Sequence, residues 1–350
     1  MLRLVHLLCL VLPVVACTSG ASLDVPSSAE DSWPARSSTS VTSDPDGQAV
    51  LESVVEQVTI ESVRLPGRLW DPLLPPLADG VEIMVGGSLT IPVVEEPAPA
   101  VIIAHGCGGP GRSERDWATE LSDHGIAVLV LDSFGARGVA EVCSGRETIN
   151  VADPVVDVYR AAELLRDHPR VDGDRVAVTG FSFGGRTALW SALARFQDAY
   201  GGRPFDAYVA FYPSTCFIRL EGETEVVGGP IRILHGTADD WTPIEPCQEL
   251  VNRLDSAGVD AAVIRYDGAY HGFDNQSLAW GGLHFSPNLV SPRNCSFVEE
   301  GGVVIDPDIG TVAGVDSPCV ERGARYAYDA DAREAAERYL IGLLLEVFER

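Results

Sequence analysis

Short, continuous apolar runs recur along the chain between residues 100 and 265, and each is bounded by Gly, Pro or Asp. A strand buried on both faces gives a continuous apolar run, whereas a strand with one wet face alternates. These runs therefore predict buried parallel strands at residues 100–104, 127–131, 175–179, 208–211, 231–234 and 262–265.

Segments with apolar residues at helical spacing lie between these runs. They predict helices at residues 114–123, 154–167, 185–194 and 246–257, with a last one at 332–349. Alternating strands and helices are typical of a doubly wound α/β domain. Residues 275–330 interrupt the alternation with Gly, Pro, Asn and two Cys, so they predict a loop insertion before the final helix.

The N-terminus is typical of an exported chain. Residues 1–16 form a signal-like segment whose apolar part is too short to span a bilayer. Its end, followed by Cys17, resembles the lipobox of bacterial lipoproteins; an ordinary secretory signal that contains a Cys is the alternative. Residues 17–60, rich in Ser, Pro and Asp, predict a flexible tether. We therefore expect a domain at 61–350 on the cell envelope, attached to the membrane by lipid on Cys17 alone.

Composition narrows the possible functions. The formal net charge is −26, and a strongly negative surface repels phosphates, so a nucleic-acid partner is not expected. All 25 basic residues are Arg, which excludes every site that needs a Lys, such as a phosphate loop or a pyridoxal Schiff base. We expect no cofactor and no metal.

The predicted strand at 175–179 leads into Gly180-Phe181-Ser182-Phe183-Gly184, and a helical pattern follows. G-x-S-x-G between a strand and a helix is typical of a nucleophile elbow, in which a tight turn presents the Ser hydroxyl at the helix N-terminus. Ser182 is therefore the candidate nucleophile. A buried capping Ser is the structural alternative.

An acid and then a His are expected after such a nucleophile. Asp239 and Asp240 follow the predicted strand at 231–234, and His271 follows the one at 262–265. We predict Asp239 as the acid and His271 as the base. Asp240 remains the alternative acid, and otherwise caps the next helix or is solvated. The other His residues fit structural roles better.

The third requirement is a pair of N–H groups for the oxyanion. Phe183, directly after the nucleophile, supplies one. The Gly-rich loop at 105–110 follows the predicted strand at 100–104, and Cys107 is the candidate for the second. A tight turn without any ligand is the alternative for this loop.

Five motifs together resemble the dienelactone hydrolase family of α/β hydrolases. They are His105-Gly106-Cys107-Gly108-Gly109, Asp132-Ser133-Phe134-Gly135-Ala136-Arg137-Gly138, Gly180-Phe181-Ser182-Phe183-Gly184-Gly185, Asp239-Asp240-Trp241-Thr242-Pro243 and Ala269-Tyr270-His271-Gly272-Phe273. The resemblance implies an eight-stranded α/β-hydrolase fold, hydrolysis of small esters or lactones, and the triad Ser182, Asp239 and His271.

The chain departs from that family in two places. The founding enzymes have a Cys nucleophile where this chain has Ser182, and a Glu where it has Gly106. A serine esterase, forming an acyl-enzyme from a small ester or lactone, is therefore the expected class. A prolyl-oligopeptidase-like peptidase and a non-catalytic surface binding module are the competing hypotheses.

Six cysteines remain once Cys9 and Cys17 are set aside. An even number in an exported chain favours disulfides, and the lack of any C-x-x-C pair disfavours zinc. The strand order of the resembled fold implies Cys216–Cys247 and Cys107–Cys143, which leaves Cys295–Cys319 to close the insertion. Reduced, buried cysteines are the alternative.

Overall fold

The structure is a computed structural model, and it describes residues 52–69 and 71–349. The expected signal at 1–16, the lipidation site Cys17 and most of the expected tether lie outside the described residues. No helix in the described ranges has the length and apolar character needed to cross a bilayer.

Fourteen strands occur in the described ranges: β1 (Ser53–Arg64), β2 (Val81–Pro92), β3 (Ala98–Ala104), β4 (Ala127–Asp132), β5 (Val171–Phe181), β6 (Tyr208–Phe211), β7 (Ile218–Arg219), β8 (Ile231–Gly236), β9 (Ala261–Tyr266), β10 (His284–Ser291), β11 (Phe297–Glu300), β12 (Val303–Asp306), β13 (Thr311–Val312) and β14 (Glu321–Tyr326). The α-helices of the same ranges are α1 (Arg112–Asp123), α2 (Asp153–Arg166), α3 (Phe183–Trp190), α4 (Ala194–Tyr200), α5 (Ile244–Ser256) and α6 (Ala330–Phe348). Three short 3₁₀ turns accompany them, at Leu77–Asp79, Gly135–Arg137 and Gln276–Leu278.

Eight of the strands form one sheet in the order β1-β2-β4-β3-β5-β6-β8-β9. β1 and β2 pair antiparallel, β2 joins β4 antiparallel, and every later pairing is parallel. This confirms the predicted eight-stranded, mostly parallel α/β-hydrolase sheet. Parallel strands put their carboxyl ends at one edge, where ligands bind in such sheets.

The core lies on both faces of the sheet. Alternate residues of β3 belong to opposite apolar clusters: Ile102 packs with α2 and α3 on one face, and Ile103 packs with α1 and α6 on the other. Since both faces are covered, the central strands are apolar throughout, which is why their sequence shows no alternation.

The first two strands were not predicted, and they correct the domain boundary. β1 begins at Ser53 and pairs with β2 from its first residue, so residues 53–60 belong to the sheet and not to the expected tether. β1 is an edge strand with a half-exposed pattern, and β2 contains Gly86 and Gly87, so neither gives a continuous apolar run. The seven-residue α4 was also missed.

The insertion (residues 275–330) was expected as a loop, and that expectation is wrong. It contains five strands: β10 pairs with β14, while β13, β12 and β11 form a small sheet completed by β7. The strands are two to eight residues long, too short for a periodic signal.

Candidate active site

Ser182 lies at the turn between β5 and α3 in a strained backbone conformation, with φ 53° and ψ −106°. Left-handed φ is uncommon for a side chain other than Gly, Asn or Asp, and it marks a turn held by its surroundings. The flanking glycines allow that turn. A Cβ on Gly180 would lie 2.2 Å from the Gly184 carbonyl oxygen, and one on Gly184 would lie 2.0 Å from the Ala104 carbonyl oxygen.

Asp239 and His271 meet at the carboxyl edge of the sheet, where the chain leaves β8 and β9. The Asp239 Oδ2 lies 2.8 Å from the His271 Nδ1, and both side chains are buried. The other carboxylate oxygen accepts the backbone N–H groups of Trp241 and Thr242, each at 2.9 Å. Burial is the largest single influence and would raise the pKa of Asp239, but His271, His235 and the Thr242 N–H together outweigh it, and the pKa lies below its ordinary value.

Asp240 points the other way. Its carboxylate accepts the backbone N–H of Arg325 at 2.9 Å and pairs with the Arg325 Nε at 2.7 Å. Arg293 lies 3.6 Å away. Of the two neighbouring acids, Asp239 is thus the one that contacts His271. Asp240 neither caps α5 nor stands free in solvent: it fastens the insertion to this loop.

Two aromatic rings hold the His271 imidazole. The Tyr212 ring centroid lies 4.4 Å from it and the Trp241 centroid 4.6 Å. Tyr212 has a positive φ of 37° and donates its hydroxyl to the buried Asp274, which Trp117 also contacts. Tyr212 was not predicted from the sequence, where its only signal was its place directly after β6.

The loop after β3 is fixed by Glu114, another residue that was missed. Its carboxylate accepts the N–H of Gly106 at 3.3 Å and that of Gly111 at 2.8 Å. The Gly106 N–H is therefore already used, and Cys107, the predicted second oxyanion donor, follows it in the same turn. Cys107, Ser182 and His271 line one cavity of about 380 Å³, and Phe183 lines a second, smaller one that also reaches Ser182.

Comparison with known proteins decides the family. A family model described as the dienelactone hydrolase family matches residues 85–288, more than half of the chain. The chain belongs to the dienelactone hydrolase family. It is therefore a hydrolase, and the resemblance inferred from its motifs is confirmed.

Three relatives illustrate the similarity. A dienelactone hydrolase-like promiscuous phosphotriesterase from a metagenomic library superposes with a TM-score of 0.54 at 19% identity, covering 84% of this chain and 98% of that one, so it shares the fold. A probable 2-oxo-3-(5-oxofuran-2-ylidene)propanoate lactonase of Bradyrhizobium sp. is 25% identical over 56% of this chain and 83% of its own length. The uncharacterized peptidase YuxL of Bacillus subtilis (strain 168) is 27% identical over 55% of this chain. The match spans only 34% of that peptidase.

All three expected disulfides are present in this dienelactone hydrolase family member: Cys107–Cys143, Cys216–Cys247 and Cys295–Cys319. Zinc binding by these cysteines is thereby excluded. The first bridge ties the loop after β3 to the segment that precedes α2, and the second ties the loop after β6 to α5. The third closes 24 residues of the insertion.

The family motif at 132–138 has a structural task here. Arg137 is buried and donates two hydrogen bonds to Asp157, at 2.7 and 3.0 Å, and one to the Val63 carbonyl oxygen. Asp153 lies 3.4 Å from the Arg137 Nε. This ion-pair network joins β1, the turn after β4 and α2, so Arg137 of the motif holds the fold together.

Three histidines other than His271 contact neighbouring groups within the fold: His105, His235 and His284. The His105 Nε2 lies 3.3 Å from the backbone N of Ser133, and its Nδ1 lies 2.7 Å from the Gly106 carbonyl oxygen. His235 is fully buried in β8, and burial lowers its pKa, which keeps the ring neutral at physiological pH. His284 stacks on Tyr326 within the insertion.

Proposed function

We propose that this protein is a serine esterase that cleaves a small carboxylic ester or lactone through an acyl-enzyme intermediate. The observation that supports it most is the Asp239–His271 hydrogen bond of 2.8 Å beside a strained Ser182 that lines the same cavity. A strained Ser, an imidazole and an orienting carboxylate are the three parts that nucleophilic acyl transfer needs.

In the proposed mechanism His271 takes the proton of the Ser182 hydroxyl as the oxygen attacks the ester carbonyl. Asp239 holds the imidazole by its Nδ1 and stabilises the imidazolium that forms. The backbone N–H groups of Cys107 and Phe183 bind the oxyanion. His271 then gives its proton to the leaving alcohol, and a water molecule releases the acid by the same steps.

The experiment that tests this proposal is labelling with a fluorophosphonate, which phosphonylates an activated Ser. We expect the native protein to be labelled, and the Ser182→Ala variant to be neither labelled nor active on an activated ester. A native protein that stays unlabelled would favour the non-catalytic binding module instead.

A peptidase is the competing enzyme class, because the same three residues cleave amides and one relative carries a peptidase name. The two classes separate on matched substrates. We expect turnover of a para-nitrophenyl acyl ester to exceed that of peptidyl para-nitroanilides by orders of magnitude. The reverse order would make the protein a peptidase.

We also propose that the chain is exported and anchored through lipid on Cys17. Three disulfides support this, since such bonds persist in oxidising compartments. Mass spectrometry of the mature protein is expected to find an acylated N-terminal Cys17, and Cys17→Ala is expected to release the protein from membranes. An unmodified N-terminus elsewhere would contradict the anchor.

A further inference from the structure

Two cavities meet at Ser182. The histidine cavity, of about 380 Å³, is lined by His271 and the loop after β3. The arginine cavity, of about 110 Å³, is lined by Arg186 of α3 and by apolar side chains. Four residues line both cavities: Cys107, Cys143, Ser182 and Trp241. An ester bound at Ser182 therefore has one side in each cavity.

If the proposed function holds, proton transfer determines which cavity takes the alcohol side of the ester and which takes the acyl side. His271 must protonate the leaving alcohol, so the alcohol side of the ester lies in the cavity that His271 lines. The acyl side then extends into the arginine cavity. The size and charge of that cavity thus select the acid that the enzyme releases.

The walls of the arginine cavity are mainly apolar, and the insertion supplies much of them through Val290, Phe297, Val315 and Val320. Arg186 is the cation of this lining. Only 4% of its surface is exposed, and within the described ranges its Nε and Nη2 have no hydrogen-bond partner.

Glu147 is the acid in the lining of the arginine cavity, and its carboxylate already accepts hydrogen bonds from the backbone. The Glu147 carboxylate accepts the backbone N–H of Ala140 at 2.6 Å and that of Glu141 at 3.4 Å. No ion pair between Arg186 and an acid occurs in the part of the chain that the structure describes. The guanidinium therefore has unused donors, on a residue that lines the same cavity as Ser182.

A buried charge without a counter-ion is costly, and proteins normally pair such groups. The Arg186 guanidinium packs 4.1 Å from the Phe183 ring centroid and 5.4 Å from that of Trp190, which holds it in place without neutralising it. Burial lowers the pKa of Arg186 to about 9, so the side chain stays protonated at neutral pH. Arg186 is therefore a cation whose planar guanidinium can donate hydrogen bonds to an anion.

We propose that Arg186 binds a carboxylate at the far end of a short acyl chain, so that the preferred substrates are monoesters of short dicarboxylic acids. This proposal rests on the proposed function and names its substrate class. The apolar walls fit the methylene groups of such an acid, and the guanidinium supplies the counter-ion that its free carboxylate needs.

The test compares two esters of equal acyl length, mono-para-nitrophenyl glutarate and para-nitrophenyl valerate. We expect the native enzyme to prefer the glutarate ester in kcat/KM, although its net charge of −26 repels anions. Arg186→Leu is expected to lower kcat/KM on the glutarate ester about 10- to 100-fold more than on the valerate ester. The control Arg160→Leu removes the same charge from the surface and is expected to change neither.

A binding measurement covers the case in which Arg186→Leu does not fold. Glutarate is expected to raise the Tm of the native protein and not that of Arg186→Gln, which keeps polar groups but lacks the charge. The proposal is overturned if glutarate stabilises both proteins equally, or if both esters respond equally to Arg186→Leu. Ser182-dependent hydrolysis of valerate without any preference for glutarate would remove this inference alone; no Ser182-dependent hydrolysis of either ester would remove the proposed function.

Discussion

The parallel sheet and the insertion make different contributions to the site. The sheet fixes Ser182, Asp239 and His271 by closely packed turns; a Cβ added at Gly184 would lie only 2.0 Å from the Ala104 carbonyl oxygen. The insertion instead supplies side chains that wall the arginine cavity. It is attached by pairing of β11 with β7, by apolar packing of Phe297 and Val304 in the core, and by ion pairs and hydrogen bonds. We infer that changes in the sheet's turns abolish the chemistry, whereas changes in the insertion alter which substrate is accepted.

The largest effect is expected from Ser182→Ala. Loss of the nucleophile removes covalent catalysis and lowers kcat by about 10⁴- to 10⁶-fold, while the fold remains intact. Initial rates on an activated ester and a thermal melt measure both. Activity within tenfold of the native enzyme would place the nucleophile elsewhere. The turns of the sheet would then not carry the chemistry in the way inferred above.

The two neighbouring acids give the next prediction. Asp239→Asn presents the wrong imidazole tautomer and is expected to lower kcat by about 10⁴-fold. Asp240→Asn loosens the contacts with Arg325 and Arg293 and is expected to change kcat less than tenfold, with most of its effect in KM. If Asp240→Asn does the greater damage, the insertion takes part in the chemistry and the division proposed here is wrong.

Removing the bridge of the insertion is expected to act on stability and selectivity together. The double variant Cys295→Ala/Cys319→Ala frees a loop of 24 residues and is expected to lose about 3 kcal/mol of unfolding free energy. We expect kcat on a small acetate ester to change little, and the ratio of kcat/KM between long and short acyl esters to shift. Cys107→Ala/Cys143→Ala is the matched comparison and is expected to lower kcat on every ester, because it frees the loop that carries the proposed oxyanion donor Cys107.

The smallest effect concerns pH. The pKa of Asp239 lies below the ordinary value of 3.8, so its stabilising contribution is fully present above about pH 4 and is lost as pH falls further. The Tm difference between native protein and Asp239→Asn is therefore expected to shrink from pH 5 to pH 3. Ser182→Ala, which changes no carboxylate, should keep a constant difference from native over this range. A constant difference for Asp239→Asn would mean that the carboxylate is not held by His271.

The sequence predicted most strands of the central sheet and the site residues that follow them. The central strands β3 to β6 and β8 are largely buried on both faces, so each appeared as an apolar run, and the predicted run at 208–211 coincides with β6. The edge strand β9 is only half-buried, yet its apolar residues still gave a run. Chain order then indicated Ser182, Asp239 and His271, of which the structure joins Asp239 and His271 directly. Burial is visible in the sequence as apolar runs, and the succession of motifs along the chain is visible directly. The strands and the site residues depend on these two properties, so the sequence could predict them.

What the sequence did not show depends on contacts between distant segments. Glu114 looked like one more surface position of a helix, yet it holds the loop that starts at Gly106. Asp240 finds its partner 85 residues away at Arg325. Arg186 became informative only through its lack of a partner, which is a property of its surroundings in space. Likewise, the strands of the insertion pair with β7 and with each other. Such pairings do not produce a periodic pattern of apolar residues in the sequence.

The adjacency of Asp239 and Asp240 has a consequence for protein engineering. One residue orients His271, and the next anchors the segment that walls the arginine cavity. A designer who grafts this insertion onto another hydrolase must therefore transplant the Asp240–Arg325 pair and the Trp241 Nε1–Val290 carbonyl bond along with it. Without those two contacts the end of the graft nearest the reaction centre would be less firmly held, and directed evolution aimed at selectivity would first have to rebuild them.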